Sequence, residues 1–95
     1  MSFIPLNGPA LYGAITVTTT PQLIKVGADN LEDRKVITIQ AIDGDVYFGY
    51  DNSVDHTTGT LINEGQYFPL EATNQLDVYI VCETGTIDVR ITEVG

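Results

Sequence analysis

His56 is the only imidazole in the chain, and it stands in the run Asp51-Asn52-Ser53-Val54-Asp55-His56. Ser53, Asp55 and His56 are the residue types of a hydrolytic triad, in which the imidazole takes a hydroxyl proton and the carboxylate orients the ring. A triad holds its base between nucleophile and orienting acid, normally on separate elements of a rigid scaffold. Here all three fall within one short polar run. The spacing argues for a solvated loop histidine. Cys82 is the single cysteine, so an intramolecular disulfide and a Cys-rich zinc site are excluded. A reactive thiolate needs electropositive, partly exposed surroundings, whereas Cys82 sits in an alternating apolar run of an acidic chain. Core packing is the expectation there.

The carboxylates need their own test, because 13 Asp+Glu include two close groups: Asp51 with Asn52 and Asp55, and Asp43 with Asp45. Neither fits a calcium loop, since the required glycine and the distal glutamate are missing after Asp51. Turn chemistry explains both. A glycosidase-like pair cannot be picked out among so many carboxylates, and no glycine loop is built to cradle a phosphate. The expectation is a chain without catalytic residues, cofactor or metal. Aromatic residues remain, and Tyr and Phe are enriched in protein interfaces. Tyr47, Tyr67 and Tyr79 alternate with the inferred core residues and are read as interface candidates, with ordinary sandwich packing as the other reading.

The elements that must carry these residues are strands. Val, Ile and Thr make up 31 of the 95 residues, and β-branched side chains suit a pleated, half-buried surface. Period-2 alternation runs through residues 14–20, 35–42, 46–49, 66–70, 76–82 and 86–92, with a further short strand possible in 22–26. Its parity selects a core of Ile15, Val17, Ile37, Ile39, Phe48, Leu70, Val78, Ile80, Val89 and Ile91. Leu76 and Cys82 share the inward parity of their run, opposite Asp77, Tyr79 and Val81. Asp43-Gly44-Asp45 signals a tight turn, and Asn63-Glu64-Gly65 and Glu83-Thr84-Gly85 signal hairpin turns. Residues 51–60 form the longest polar stretch. No window sustains a helical period. The fold expected is all-β: an antiparallel sandwich, jelly-roll-like or a small barrel, of about seven or eight short strands.

Residues 1–12 behave differently, with Pro5, Gly8 and Pro9 set among Phe3, Ile4, Leu6, Leu11 and Tyr12. They are read as an irregular N-terminal arm, and residues 13–95 as one sandwich domain. Three readings of the arm stand: a strap over its own sandwich, an anchor on a neighbouring subunit, or plain disorder. The formal net charge is −9, from 4 Lys+Arg against 13 Asp+Glu. Such a surface repels phosphate backbones and anionic lipid, so nucleic acid and membrane are not expected partners. The apolar runs are too short to span a bilayer, and the start has neither the basic residues nor the apolar stretch of a signal peptide.

One resemblance adds to this reading. Ile15-Thr16-Val17-Thr18-Thr19-Thr20-Pro21, then Arg34-Lys35-Val36-Ile37-Thr38-Ile39-Gln40, then Asp45-Val46-Tyr47-Phe48-Gly49 follow the order seen in small virion structural proteins of tailed bacteriophages. Asp51-Asn52-Ser53-Val54, the Gly65 turn, Leu76-Asp77-Val78-Tyr79-Ile80 and Thr84-Gly85-Thr86-Ile87-Asp88-Val89-Arg90-Ile91 continue it, so the similarity spans about residues 14–93. The resemblance implies a non-enzymatic module, made in the host cytoplasm and assembled on the particle exterior. First among such roles is a capsid decoration protein, with the major capsid protein or another virion protein as partner. A homo-oligomer is expected, a trimer first. The other expectations are a tail, neck or fibre accessory, or an isolated carbohydrate-binding sandwich. The resemblance carries over no functional residue set, because the shared positions are those a sandwich needs for its own fold.

Overall fold

The alternation read from the sequence becomes eight strands. These are β1 (Ala10–Val17), β2 (Gln22–Leu23), β3 (Val36–Ala41), β4 (Val46–Gly49), β5 (Thr60–Ile62), β6 (Tyr67–Leu70), β7 (Tyr79–Val81) and β8 (Ile87–Val94). The structure is a computed structural model and describes residues 10–27 and 30–95. The strands form two four-stranded sheets, β1-β8-β3-β6 and β2-β7-β4-β5, antiparallel throughout. The pairs β1·β8, β2·β7, β3·β6 and β4·β5 are those of one long hairpin folded back at the β4–β5 loop. Wrapping that hairpin on itself adds β3·β8 and β4·β7, which is the jelly-roll arrangement of an antiparallel sandwich.

The inner faces follow the expected parity. Val17, Ile37, Ile39, Val78, Ile80, Val89 and Ile91 are buried, with Phe48 close behind, while Ile15 and Leu70 are half-buried against the same cluster. Ile24, Ala41, Val46, Ile62, Ala72 and Cys82 complete it. A truncation such as Ile39→Ala would remove on the order of 2–5 kcal/mol here.

Four local expectations change. The strand next to the arm begins at Ala10, so Leu11 and Tyr12 are ladder residues opposite Glu93 and Thr92, and not part of an irregular arm. Phe3, Ile4 and Leu6 lie outside the described residues. The 76–82 run shortens to Tyr79–Val81, which leaves Leu76 in a turn, exposed, where parity had put it inward. Residues 60–62 form β5, which the polar reading of 51–60 had obscured. The expected hairpin turns at 63–65 and 83–85 do reverse the chain, with Gly65 at φ 80° and Gly85 at φ 65°. They carry it to the opposite sheet, however, and join no hydrogen-bonded neighbours. Among the described strands, only β4 and β5 are consecutive in one sheet.

Inside one end of the sandwich lies an ion pair. Glu93 follows Val89 and Ile91 on the inner face of β8 and is fully buried. Arg34 meets it at 3.0 Å and donates its other N–H groups to the carbonyls of Ala72, Thr73 and Leu76. The carboxylate also accepts the backbone N–H of Val26 and of Leu31, each at 3.0 Å. The pair therefore ties the β2–β3 and β6–β7 connections to β8. Its partners satisfy the buried charges that would otherwise be left in a low-dielectric interior.

Candidate functional site

The triad residue types are each engaged elsewhere. Ser53 donates its hydroxyl and its backbone N–H to Asp51 Oδ1. Asp55 Oδ1 accepts from Thr57 and Thr58. His56 sits edge-on to Tyr47, with Nε2 at 3.7 Å from Glu83 Oε1. The two aspartates brace their own loop, and their hydrogen bonds hold both carboxyls below the usual range. The Ser53 hydroxyl is the main cause at Asp51, and the Thr57 hydroxyl at Asp55. Asp43 and Asp45 are turned instead to backbone of other segments, accepting from the N–H of Asp88 and Glu64. Cys82 is buried and burial pushes its thiol up, away from the reactive thiolate form.

The interface candidates divide between the two outer faces. Residues paired across an antiparallel ladder share a face, so the register places each side chain. On the β1-β8-β3-β6 sheet one outward row is Tyr12, Thr92, Thr38 and Pro69, and the next is Ala14, Arg90, Gln40 and Tyr67. Tyr12 is 83% exposed and Tyr67 61%, so both rings stand in solvent on this face. Among the described residues, the charged side chains that its strands present on this face are Asp88 and Arg90, bonded to each other at 2.8 Å. The face is neutral on a chain of net charge −9.

The other outer face is covered in part by the chain itself, while Leu61 on the same face stays 43% exposed. Tyr47, paired with Leu61 and Val81, and Tyr79, paired with Gly49 and Leu23, point outward from the β2-β7-β4-β5 sheet. Residues 50–59 fold back over this face. A Cβ at Gly49 would lie 2.8 Å from Val54, and one at Gly59 would lie 2.9 Å from both Tyr47 Cβ and Val54. The glycines thus let the loop lie flat on the strands. Val54 is buried, Tyr47 and Tyr79 are half-buried, and Val81, expected outward, is buried as well. At the mouth of the loop a cleft of about 310 Å³ is lined by Phe48, Tyr50, Asp51, Ser53 and Thr60 among others, with Tyr50 half in solvent.

The reason one chain can be so acidic and yet present a neutral face is positional. Among the described residues, Asp88 and Glu93 are the acidic residues that lie in strands. The other described carboxylates lie in the connections. Sequence reasoning named Tyr12 and Tyr67 but missed Arg34 and Glu93 as a unit. A signal for Glu93 existed: continuing the parity of Ile87, Val89 and Ile91 by one step puts position 93 inward. No protein-family model matches the chain, and no curated protein matches it either.

Proposed function

We propose that the protein is a non-enzymatic structural subunit of a virion, docked on the outer surface of a tailed-phage head through the outer face of its β1-β8-β3-β6 sheet. The observation that carries this reading is that face: neutral, unobstructed by other described residues, and bearing Tyr12 and Tyr67 in an otherwise acidic molecule. Desolvating it exposes no unpaired charge, and tyrosine supplies large contact area with little conformational entropy to lose. The residue resemblance to phage structural proteins and the jelly roll, an architecture found among capsid and lectin domains, support the same reading by analogy. Phe3, Ile4 and Leu6, which precede β1 in the sequence, are proposed to add to the anchor.

Co-sedimentation of the purified chain with heads and, separately, with tails from the particle of the same source tests the proposal. Binding to heads that falls about tenfold or more in Tyr12→Ala/Tyr67→Ala supports it. Binding to tails moves the site to the accessory reading. Binding to neither, or binding indifferent to both tyrosines, overturns it. The cleft beside Tyr50 favours a second reading, a carbohydrate-binding module that uses the ring as a stacking platform. Titration with mono- and oligosaccharides, with Tyr50→Ala as control, separates the two.

A further inference from the structure

We propose that two copies of the chain join through their β1 strands, antiparallel about a two-fold axis, so that two four-stranded sheets become one continuous sheet. A sandwich has four sheet edges, and an exposed edge offers a row of unpaired N–H and C=O groups to any extended chain. Natural sheets blunt such edges with short strands, prolines or charges. Three edges here follow that practice: β2 has two residues, β5 has three, and β6 has four and contains Pro69. β1 does not. It runs for eight residues, Ala-Leu-Tyr-Gly-Ala-Ile-Thr-Val, with neither proline nor charge, and residues 10, 11, 12, 14 and 16 are exposed.

The charge distribution selects a second copy as the occupant. Any two copies repel through their net charge of −9, and that repulsion is least where carboxylates are absent or neutralised. β8, the strand behind β1, carries Asp88 bonded to Arg90 and Glu93 bonded to Arg34. β6, at the far edge of the same sheet, is flanked by Glu64 and Glu71. Parity then restricts the register. Odd positions of β1 face the core side and even positions face outward, as their partners on β8 do. A two-fold axis perpendicular to the sheet keeps the two faces distinct, so opposed positions must both be odd or both be even. The axis therefore falls on a residue, and centring the contact on Ala10–Val17 puts it at Gly13 or at Ala14, setting Tyr12 of one copy opposite Ala14 or Thr16 of the other. An axis midway between them would set Tyr12 against Ile15 and is excluded. The contact is isologous and closes at two copies, in place of the trimer expected from the sequence.

Sedimentation velocity on the full chain tests this, with an expected mass about twice 10.3 kDa in the micromolar range. Ala14→Glu is the breaking variant. Ala14 is exposed and lies opposite Arg90 in its own sheet, so the new carboxylate meets a cation in the monomer. Across the two-fold the pair of substitutions brings like charges together, which weakens association by about tenfold or more. Mixing Ala14→Glu with Ala14→Lys in equal amounts restores the two-chain mass. If Ala14→Glu fails to fold, Tyr12→Glu, at the most exposed position of the same edge, takes its place. A wild-type mass of one or three chains overturns the proposal, and so does a two-chain mass indifferent to these charges. A two-chain mass that appears only after residues 1–9 are removed also overturns it, because the edge would then belong to the chain's own N-terminal segment. A monomer that still sediments with heads sinks this inference and leaves the docking face standing.

Discussion

The two sheets have equal numbers of strands, yet their outer faces are finished in different ways. The β2-β7-β4-β5 face is partly covered by residues 50–59, which seat Val54 against Gly49 and Gly59 and bring His56 to the edge of Tyr47. The β1-β8-β3-β6 face carries no such cover among the described residues and keeps Tyr12 and Tyr67 in water. A tyrosine on the first face is a packing residue, while a tyrosine on the second is available to another molecule. The same residue type at the same strand parity therefore has opposite meaning, according to where one long loop happens to lie.

The comparison can be broken most severely from the interior that both sheets share. Arg34→Met leaves the Glu93 carboxylate buried without its cation, and the expected loss is about 3–5 kcal/mol, read by chemical denaturation. One transition seen by probes on both faces supports a single cooperative unit, and two transitions would show that the faces fail separately. Next comes Gly59→Ala, whose methyl meets Tyr47, Val54 and the Asp55 carbonyl. It should destabilise by about 1–3 kcal/mol and raise amide exchange in residues 50–59 first. An unchanged protein would mean that the cover on this face is loose.

Tyr12→Ala/Tyr67→Ala should shift stability by at most about 0.5 kcal/mol per site, because exposed side chains away from special features contribute little. A larger loss in thermal melting would make the open face part of the fold and weaken its reading as a docking surface. The smallest effect is acidic. Asp51 and Asp55 have folded pKa values below their unfolded ones, so their stabilisation is present above the unfolded value and is lost as pH falls through the folded one. Below about pH 4, then, the loop bonds to Ser53 and Thr57 should weaken. Chemical shifts at Tyr47 and Val54 should move in an acid titration while those of Tyr12 and Tyr67 stay still.

Much of this architecture is local and was legible in the chain. Period 2 sorts Ile37 and Ile39 from Thr38 and Gln40 because successive strand residues point to opposite faces whatever lies across the ladder. Gly65 and Gly85 mark reversals because they adopt positive φ without strain. Tyr67 could be named as outward by the same parity, whereas Tyr12 was read as part of the arm and only the structure puts it in β1. What the chain could not disclose is which sheet each strand joins. A reversal at 83–85 is equally compatible with a hairpin and with a crossing, and the choice rests on β8 pairing with β1 from the other end of the sequence. Burial on the outer face was equally hidden. Tyr47 and Tyr67 obey one parity rule, and the path of residues 50–59 sets the first apart from the second. Arg34 and Glu93 show the same limit most sharply, since a charged side chain is stable inside only when distant backbone groups converge on it. Strand faces and turn positions follow from the sequence because they depend on neighbours in the chain; pairing, cover and the buried ion pair depend on neighbours in space.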